Sequence, residues 1–510
     1  MLSKVLSGCV VGIDASPIEV EVDVTNGLPA FSVVGLPDAA IRESRDRIRS
    51  AIKNSGFTFP HGKITVSLSP ADLKKEGASF DLPIAIGILG ASGLLDPESL
   101  SGNIFCGELA LNGRLKPFKG AFTIVLSLKT RFNNFTLPMR NAYETANISG
   151  VSVYGAKTLK NIVDHLKKIE PLIPVSPKDN PIKLRKKHNI PDFKDVKGQE
   201  YVKRGLEVAA SGGHNVILLG PPGSGKSMLA KRLPGIMPPL TLADSLEVTN
   251  IHSIAGQTHY ASLIKERPVR APHHTISYAA MAGGGSNPFP GEITLAHNGI
   301  LFLDEFPEFR RDVLETLRQP MESGEITITR VSGSMKFPSR FILVAAMNPC
   351  PCGYFTDPHK SCKCTSHQIQ RYISKVSGPL LDRIDIHLEV PRLNYDELSK
   401  KRTGEFSSDI KKRVLKTNLI QKSRFSDGPD PTPYNAYMKT KDIEKYCTLS
   451  SEAEELLKSA ILELGISARA YDKILKISRT IADMENSEII ESHHLSEAVG
   501  YRCLDRNLWM

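Results

Sequence analysis

The chain lacks any apolar run that could cross a bilayer, which needs about 20 residues. The best candidate, residues 82–95, is shorter and is broken by Pro83 and by glycines at 87, 90 and 93, so it is expected to be buried core. The residues before Cys9 also lack the apolar segment that a secretory signal requires. Together these absences predict a cytoplasmic protein with no membrane partner.

The chain also has few cysteines and only a small surplus of positive charge for its length. The chain has 8 cysteines, and four of them lie between positions 350 and 364, which in a reducing compartment points to metal ligation before disulfides. The formal net charge is +10 in 510 residues. This surplus is compatible with an anionic partner such as nucleic acid, but over so long a chain it is weak evidence.

The length of the chain predicts about two to four domains. Residues 1–170 alternate strand and helix patterns, such as Val20, Val22 and Val24 separated by acids, and form a separate α/β module. Residues 171–192 are rich in proline and basic side chains and suit an exposed linker. Residues 193–395 carry the nucleotide-binding signals described next, and residues 396–510 are mostly helical in pattern.

A phosphate-binding loop, GPPGSGKS, stands between an apolar run at 216–219 and a helix-like segment. Its glycines let backbone N–H groups surround the phosphates of ATP, which Lys226 also contacts, while the hydroxyl of Ser227 is a ligand for Mg²⁺. This order of strand, loop and helix is what a nucleotide site requires. The predicted ATP-binding residues are Gly220, Pro221, Pro222, Gly223, Ser224, Gly225, Lys226 and Ser227.

A pair of acids follows a second apolar run, residues 299–303. Such a run belongs in the centre of a parallel sheet, and ligands bind at the carboxyl ends of such strands. We expect Asp304 to hold Mg²⁺ and Glu305 to orient and deprotonate the attacking water. With the phosphate loop, this pair predicts hydrolysis as well as binding.

Two further patterns follow the acids. Val313, Leu317 and Met321 recur at four-residue spacing and predict one core-facing helix that ends at Gly324. The next segment predicts a β-hairpin with its turn at residues 332–333, and this hairpin carries Arg330 and Lys336.

These motifs, with Asn348 after another apolar strand and the string SGPLLDRID at 377–385, give the chain a resemblance to AAA+ ATPases. More narrowly, the strings RAPHHT at 270–275, PGEITLAHNGILFLDE at 290–305 and MNPCPCG at 347–353 resemble the YifB/ComM family of magnesium-chelatase-like proteins. The resemblance covers essentially the whole chain. It implies a P-loop NTPase core, a parallel sheet with flanking helices, followed by a helical lid.

The resemblance also implies catalytic roles. Asn348 matches the first sensor, which binds the γ-phosphate or the lytic water. Arg383 matches the arginine finger that a neighbouring subunit supplies, and Arg469 matches the second sensor, with Arg479 as the alternative. Because a finger acting in trans leaves a monomer incomplete, the implied active form is a homo-oligomer, a hexameric ring. For Arg383 the alternative is a local salt bridge, and for Arg469 a solvated helix start.

The amino-terminal module resembles the peptidase domain of the Lon protease. Ser79 lies where that family has its nucleophile, but Ile124 occupies the position of the lysine base. Without a base the hydroxyl is a poor nucleophile, so we expect a non-proteolytic domain, although Lys119 is a conceivable substitute.

The four clustered cysteines, Cys350, Cys352, Cys362 and Cys364, form two C-x-C pairs. Four thiolates can close a tetrahedral zinc site, and we predict structural zinc here. Free thiols and a redox pair are the alternatives. For His273 and His274 we expect a loop contact at the pore or at a subunit interface, because adjacent residues rarely bind one ion together.

The substrate of the implied motor is the least determined property. The favoured hypothesis is DNA translocation, with branch migration or unwinding during recombination or natural transformation and with recombination proteins as partners. Residues 281–287 are expected to form a glycine-rich pore loop. Arg270, Arg330 and Lys336 are candidate DNA phosphate contacts. A protein-remodelling ATPase and a metal-insertion motor like magnesium chelatase are the alternatives.

Overall fold

The fold comes from a computed structural model that describes residues 1–75, 77–179, 190–258, 263–285, 289–330, 333–355, 357, 360–393, 404–426, 434–464 and 467–502. The chain divides into two compact units. Unit 1 comprises Met1–Lys186 and Leu242–Lys265, and unit 2 comprises Lys187–Thr241 and Glu266–Met510. Each unit has its own β-sheet.

Unit 1 is built on a mixed seven-stranded sheet with the order β3-β4-β2-β1-β5-β8-β9. The alternation predicted for its strands is confirmed, since Val20 and Val22 are buried, as are Ile64 and Val66 on the neighbouring strand. Two very short strands, β6 and β7, form a separate hairpin. The strands are β1 (Leu2–Val11), β2 (Asp14–Thr25), β3 (Ala30–Val34), β4 (Lys63–Ser69), β5 (Asn103–Phe105), β6 (Glu108–Leu109), β7 (Leu115–Lys116), β8 (Asn134–Pro138) and β9 (Ser152–Ala156).

The most buried helix of unit 1 is Asp81–Ala91, in which every residue is buried. It lies within the apolar segment 82–95, so the expectation that this segment is core rather than membrane span is confirmed. Within the part of the chain that the structure describes, no helix is long and apolar enough to span a membrane. The other helices of unit 1 are Ala39–Arg42, Ser44–Asn54, Pro97–Leu100, Ala121–Leu128, Met139–Thr145, Leu159–Leu166 and Leu242–Ile254.

The last of these helices reaches unit 1 from the middle of the chain. The buried carboxylate of Glu144 accepts hydrogen bonds from the hydroxyls of Ser253 (2.8 Å) and Thr258 (2.7 Å) and from the amide of Asn141 (3.3 Å). Burial raises the pKa of Glu144. Nothing in the sequence pattern indicated that residues 242–265 leave the nucleotide-binding module, and the domain limits given above remain predictions.

Ser79, at the position of the Lon nucleophile, contacts no candidate base among the described residues. Ser79 uses its backbone carbonyl to accept a hydrogen bond from Gly107, and Ile124 is buried beside Gly8. Lys119 lies against Gly256. Among the described contacts, none joins Lys119 to Ser79. The resemblance of this unit to the Lon peptidase domain therefore stays a prediction.

Unit 2 is built on a parallel five-stranded sheet with the order β11-β14-β17-β10-β18. Its central strands are wholly buried, as their unbroken apolar runs predict. The hairpin predicted near residue 332 is confirmed as the antiparallel pair β15 and β16, and residue 332 itself lies outside the described residues. The strands are β10 (Val216–Leu219), β11 (Val269–Arg270), β12 (Gly283–Gly284), β13 (Phe289–Pro290), β14 (Gly299–Leu303), β15 (Glu325–Arg330), β16 (Gly333–Pro338), β17 (Phe341–Met347) and β18 (Ile386–Glu389).

The single helix predicted after the acidic pair is wrong in one respect. The segment forms two short helices, Arg311–Glu315 and Arg318–Ser323, because Pro320 has no N–H to donate to the preceding turn and its ring crowds that turn. Val313 and Leu317 are buried as expected, and Gly324 ends the second helix in a left-handed conformation (φ 69°).

The helices after residue 404 share one hydrophobic core with the parallel sheet. Lys473 anchors the helix Ala468–Glu485 to the sheet, since its Nζ lies 2.5 Å from Oδ1 of Asp385. Burial alone would raise the pKa of Asp385, but Lys473 and His214 hold it well below its usual range. The helices of unit 2 are Glu200–Gly212, Lys226–Ala230, Leu233–Ile236, Tyr278–Ala282, Glu292–Leu295, Arg311–Glu315, Arg318–Ser323, Ser366–Ile373, Gly378–Leu381, Ser407–Phe425, Thr440–Tyr446, Ser451–Leu464, Ala468–Glu485 and Ser492–Gly500.

Candidate functional site

The phosphate loop follows β10 and leads into the helix Lys226–Ala230, as predicted. Two of its glycines are required by the backbone. A Cβ on Gly220 would lie 2.3 Å from the carbonyl oxygen of Val390, and Gly225 has a φ of +97°. Any other residue at these positions would distort the loop.

The side chain of Lys226 folds over this loop. Its Nζ donates to the carbonyl oxygens of Gly220 (2.7 Å) and Pro221 (2.9 Å) and to Oδ1 of Asn348 (3.2 Å). Burial lowers the pKa of Lys226 to about 8, although the carboxylate of Asp304 opposes this shift. The structure thus brings the lysine of the loop and the predicted sensor asparagine into contact.

The two predicted Mg²⁺ ligands are also in contact. Oγ of Ser227 donates to Oδ2 of Asp304 at 2.6 Å. Ser227 ends the phosphate loop after β10, Asp304 follows β14, and Asn348 follows β17, the strand between them. The carboxyl ends of three adjacent parallel strands therefore supply the site, and its hydroxyl and carboxylate oxygens are ligands that suit Mg²⁺.

Glu305 stands beside this group with an unusual backbone. Its φ is +52°, and its N–H donates to Oδ1 of Asp304 at 2.9 Å. Its Oε2 lies 3.0 Å from Nδ1 of His274. Burial and the negative charges of Glu308 and Glu305 raise the pKa of nearby Tyr372 to about 12, so this phenol stays neutral.

The two predicted arginines meet at one carboxylate. Arg383 is only 8% exposed and binds Glu322 and the carbonyl oxygen of Pro379. Arg469, which is 58% exposed at the start of its helix, lies 3.7 Å from the same Oε1 of Glu322. The alternative second sensor, Arg479, is fully buried and binds Asp483 within its own helix, which favours Arg469.

Comparisons with known proteins identify the family of the chain. The profile described as "Magnesium chelatase, subunit ChlI" matches residues 192–398, and two related profiles match residues 20–141 and 404–502. "Competence protein ComM" of Haemophilus influenzae is 44% identical over 99% of this chain and 98% of its own length. The chain belongs to the YifB/ComM family of magnesium-chelatase-like proteins.

Other members and a more distant relative extend this comparison. "Uncharacterized protein YifB" of Escherichia coli is 43% identical over 99% of this chain and 98% of its own length. The "Magnesium-chelatase 38 kDa subunit" of Rhodobacter capsulatus is 25% identical over 31% of this chain and 50% of its own length. The YifB/ComM proteins thus match the whole chain, whereas the chelatase subunit matches a part of it.

The thiols of the four clustered cysteines converge in this YifB/ComM chain. The Sγ atoms all lie within 4.8 Å of one another, and three of their separations are 3.3, 3.6 and 3.7 Å. A tetrahedral site with Zn–S distances of about 2.3 Å has sulfur–sulfur edges of about 3.8 Å, so the donors fit zinc. Backbone N–H groups of Lys363 and Tyr354 lower the pKa of Cys352 to about 6, which favours the thiolate.

This thiol cluster is continuous with the nucleotide site. Cys350 follows Asn348 by two residues, and Gly353 lies so close to Pro222 of the phosphate loop that an added Cβ would approach its Cδ to 2.5 Å. A metal held here would fix the loop that leaves the sensor strand.

The candidate DNA contacts differ in their availability. Arg270 forms a bidentate ion pair with Glu292 at 2.6 Å, which neutralises it and disfavours a DNA role. Lys336 has a side chain that is 73% exposed and lies 3.7 Å from Glu325. The backbone of Arg330 pairs with Gly333 at the turn end of the same hairpin. In the predicted pore loop, residues 286 and 287 lie outside the described residues.

Sequence reasoning missed two residues at this site, Glu322 and Gln199, and it named His274 without its partner Glu305. Nε2 of Gln199 donates to the carbonyl oxygens of Ser224 (2.7 Å) and Pro391 (3.3 Å) and so ties the phosphate loop to the chain after β18. No short motif predicted a role for Gln199 or Glu322, because the residues that they contact are distant in sequence. For His274, the family string RAPHHT marked the segment but not its partner.

Proposed function

We propose that the protein is a Mg²⁺-dependent ATP hydrolase that works as a ring and moves DNA. The main support for ATP hydrolysis is that Lys226, Ser227, Asp304 and Asn348 converge at the carboxyl edge of one parallel sheet. A glycine-rich turn alone would also suit simple nucleotide binding. The acid pair beside the hydroxyl gives this site hydrolytic chemistry.

Each residue has a defined task. Lys226 binds the β- and γ-phosphates, and Ser227 and Asp304 hold Mg²⁺, which neutralises charge on the phosphates when bound. Glu305 accepts the proton of the attacking water. Asn348, already within hydrogen-bond distance of Lys226, donates its amide hydrogens to the γ-phosphate or to that water.

The placement of the arginines supports the proposed ring. Arg383 and Arg469 converge on Glu322, so the two guanidinium groups share one face of the chain. We assign Arg383 to the nucleotide of a neighbouring subunit, where it stabilises the transferring phosphoryl group, and Arg469 to sensing that group. Membership of the YifB/ComM family supports a homo-oligomer, and a hexamer is the proposed form.

DNA is the proposed substrate, through translocation that drives branch migration or unwinding in recombination or natural transformation. Support comes from the similarity to a competence protein and from the formal charge of +10. The exposed Lys336 on the β15–β16 hairpin is the proposed phosphate contact, with Arg330 on the same hairpin. Such contacts bind the backbone without reading the bases.

The test is an ATPase titration of the purified protein with forked DNA, Holliday junctions and an unfolded polypeptide, with Glu305→Gln as the hydrolysis control. We expect branched DNA to stimulate hydrolysis and salt to weaken DNA binding. Lys336→Glu is expected to reduce DNA binding, whereas Lys458→Glu, a charge reversal at a comparably exposed lysine on the helix Ser451–Leu464, is expected to leave it unchanged.

Other outcomes of this titration identify the alternative functions. Stimulation by unfolded polypeptide alone would indicate a protein-remodelling ATPase. Copurification with a porphyrin-binding partner would indicate a metal-insertion motor like magnesium chelatase. We interpret unit 1 as a non-proteolytic Lon-like domain. Its proposed role is to scaffold the ring or to bind a partner.

Structural zinc is the second proposed cofactor. Cys350, Cys352, Cys362 and Cys364 hold it, and its task is to fix the loop between Asn348 and the helix Ser366–Ile373. Four sulfur ligands leave no open position, so the metal takes no part in the chemistry.

A further inference from the structure

The imidazole of His274 faces the carboxylate of Glu305, with Nδ1 and Oε2 separated by 3.0 Å. We propose that His274 is the residue that positions the Glu305 carboxylate for hydrolysis. This inference rests on the proposed ATPase function and deepens it. It gives His274 a role inside one subunit, in place of the pore or interface contact that the sequence pattern predicted.

The backbone of Glu305 is held by hydrogen bonds, whereas its side chain is largely exposed. The left-handed conformation is secured by the hydrogen bond to Asp304 and by a second one, 2.8 Å long, from the N–H of Glu308 to the carbonyl oxygen of Glu305. The side chain is 60% exposed. An exposed glutamate with a fixed backbone still samples several rotamers, and only some of them direct the carboxylate at a bound water.

His274 is better fixed than the carboxylate it contacts. Its side chain is 31% exposed, its ring lies 4.1 Å from the ring of His273, and the ring of Phe309 meets it edge-on at 6.4 Å. Within the described part of the chain, His274 is the only side chain that pairs with the Glu305 carboxylate. The packed ring therefore restrains the exposed carboxylate.

The chemistry of this pair suits a general base. The contact of Nδ1 with Oε2 leaves Oε1 free to accept the proton of the attacking water. The contact orients the carboxylate without neutralising it, whereas an arginine or lysine at this position would lower its proton affinity more strongly.

The charged and titratable groups around the pair come from three elements. His273 precedes His274, Glu308 ends the turn that follows Glu305, and Lys375 binds Glu308 at 3.0 Å. Tyr372, from the helix Ser366–Ile373, stays neutral as described above. Lys375 is thus engaged with Glu308, and His274 remains the partner of Glu305.

The test compares variants in ATP binding and in turnover. We expect His274→Ala to lower kcat about 10- to 100-fold while the Kd for ATP changes less than about twofold, because the contact acts on the base and not on the phosphates. His274→Asn keeps a donor near the position of Nδ1 and is expected to recover most of the rate. In a Glu305→Gln background, His274→Ala is expected to cause no further loss.

His493, on the helix Ser492–Gly500, provides the matched control, because its imidazole also lies 3.0 Å from the carboxylate of Glu485. His493→Ala should leave kcat unchanged. The inference is overturned if His274→Ala leaves kcat unchanged, raises it, or lowers it equally in the Glu305→Gln background. A wild-type protein that binds ATP but does not hydrolyse it would overturn the proposed function and this inference together.

Discussion

The hydroxyl of Ser227 and the carboxylate of Asp304 lie 2.6 Å apart, although 77 positions separate them in the chain. One comes from the phosphate loop and the other from the end of β14. Because both strands are parallel and β17 lies between them, their carboxyl ends meet at one edge of the sheet. This contact sets the position of the metal in the proposed site.

The first prediction concerns these two ligands. Asp304→Asn is expected to lower kcat at least about 100-fold, because the site loses the charge that holds Mg²⁺ and opposes the phosphates. Ser227→Ala should raise the Mg²⁺ concentration needed for half-maximal rate, and Ser227→Thr should keep it near the wild-type value. The measurement is kcat as a function of Mg²⁺ concentration. Wild-type turnover by the Asp304→Asn variant would show that Asp304 is not a ligand of the catalytic Mg²⁺.

The second prediction follows from the lowered pKa of Lys226, about 8 against 10.5 for an unburied lysine. ATP binding needs the charged amine, so affinity is expected to fall as the pH rises above about 8, by up to about tenfold per unit. Over the window from 8 to 10.5 the unfolded chain binds more protons, so this lysine makes the fold more stable as the pH rises.

The measurement is the Kd of a fluorescent ATP analogue between pH 7 and pH 9.5. Lys226→Arg is the control, because its guanidinium keeps its charge over this range and its affinity, although weaker, should vary less with pH. An affinity of the wild-type protein that stays constant up to pH 9.5 would contradict the assignment.

The third prediction tests the shared site. Arg383→Ala is expected to retain ATP binding and to lose at least about 100-fold in kcat. Lys226→Ala is also expected to be inactive, but because it no longer binds the nucleotide. Mixed rings of the two variants should regain part of the activity, because an Arg383 from one subunit completes the intact phosphate loop of the other.

The same variants decide between a finger and a local salt bridge. If mixing restores nothing while Arg383→Ala unfolds at a lower temperature, the bond to Glu322 is the main role of Arg383. Full turnover by isolated monomers would exclude the shared site altogether.

The fourth prediction concerns zinc. The purified protein is expected to contain about one zinc ion per chain, and Cys352→Ser or Cys364→Ser should lose it. Cys447→Ala is the control, because burial raises the pKa of Cys447 to about 12 and its thiol lies in the core of unit 2. Metal analysis of the variants decides the matter, and a wild-type protein with free thiols and no metal would overturn the site.

The fifth prediction concerns the segment that returns to unit 1. Glu144→Ala leaves the hydroxyls of Ser253 and Thr258 and the amide of Asn141 without their acceptor, and is expected to cost about 2–4 kcal/mol in the free energy of unfolding. Hydrogen exchange should show faster opening of the helix Leu242–Ile254. Unchanged exchange in that helix would mean that apolar packing alone holds it.

Much of the nucleotide site was predictable from local pattern. A wholly buried parallel strand appears as an unbroken apolar run, and the loop or acid that follows it must lie at the carboxyl edge of the sheet. On this basis the strands before Gly220 and Asp304 were predicted correctly. The helix after Asp304 was predicted too long, because the apolar spacing was read without the effect of Pro320.

Thus the sequence alone determined the type of chemistry and the membership of the YifB/ComM family, because short contiguous motifs carry both. The tertiary structure decided which side chains meet. It paired His274 with Glu305, joined Arg383 and Arg469 through Glu322, neutralised Arg270 with Glu292 and placed residues 242–265 in unit 1. Such contacts join residues far apart in the chain, and their energies depend on packing and burial, which no local pattern of residues encodes.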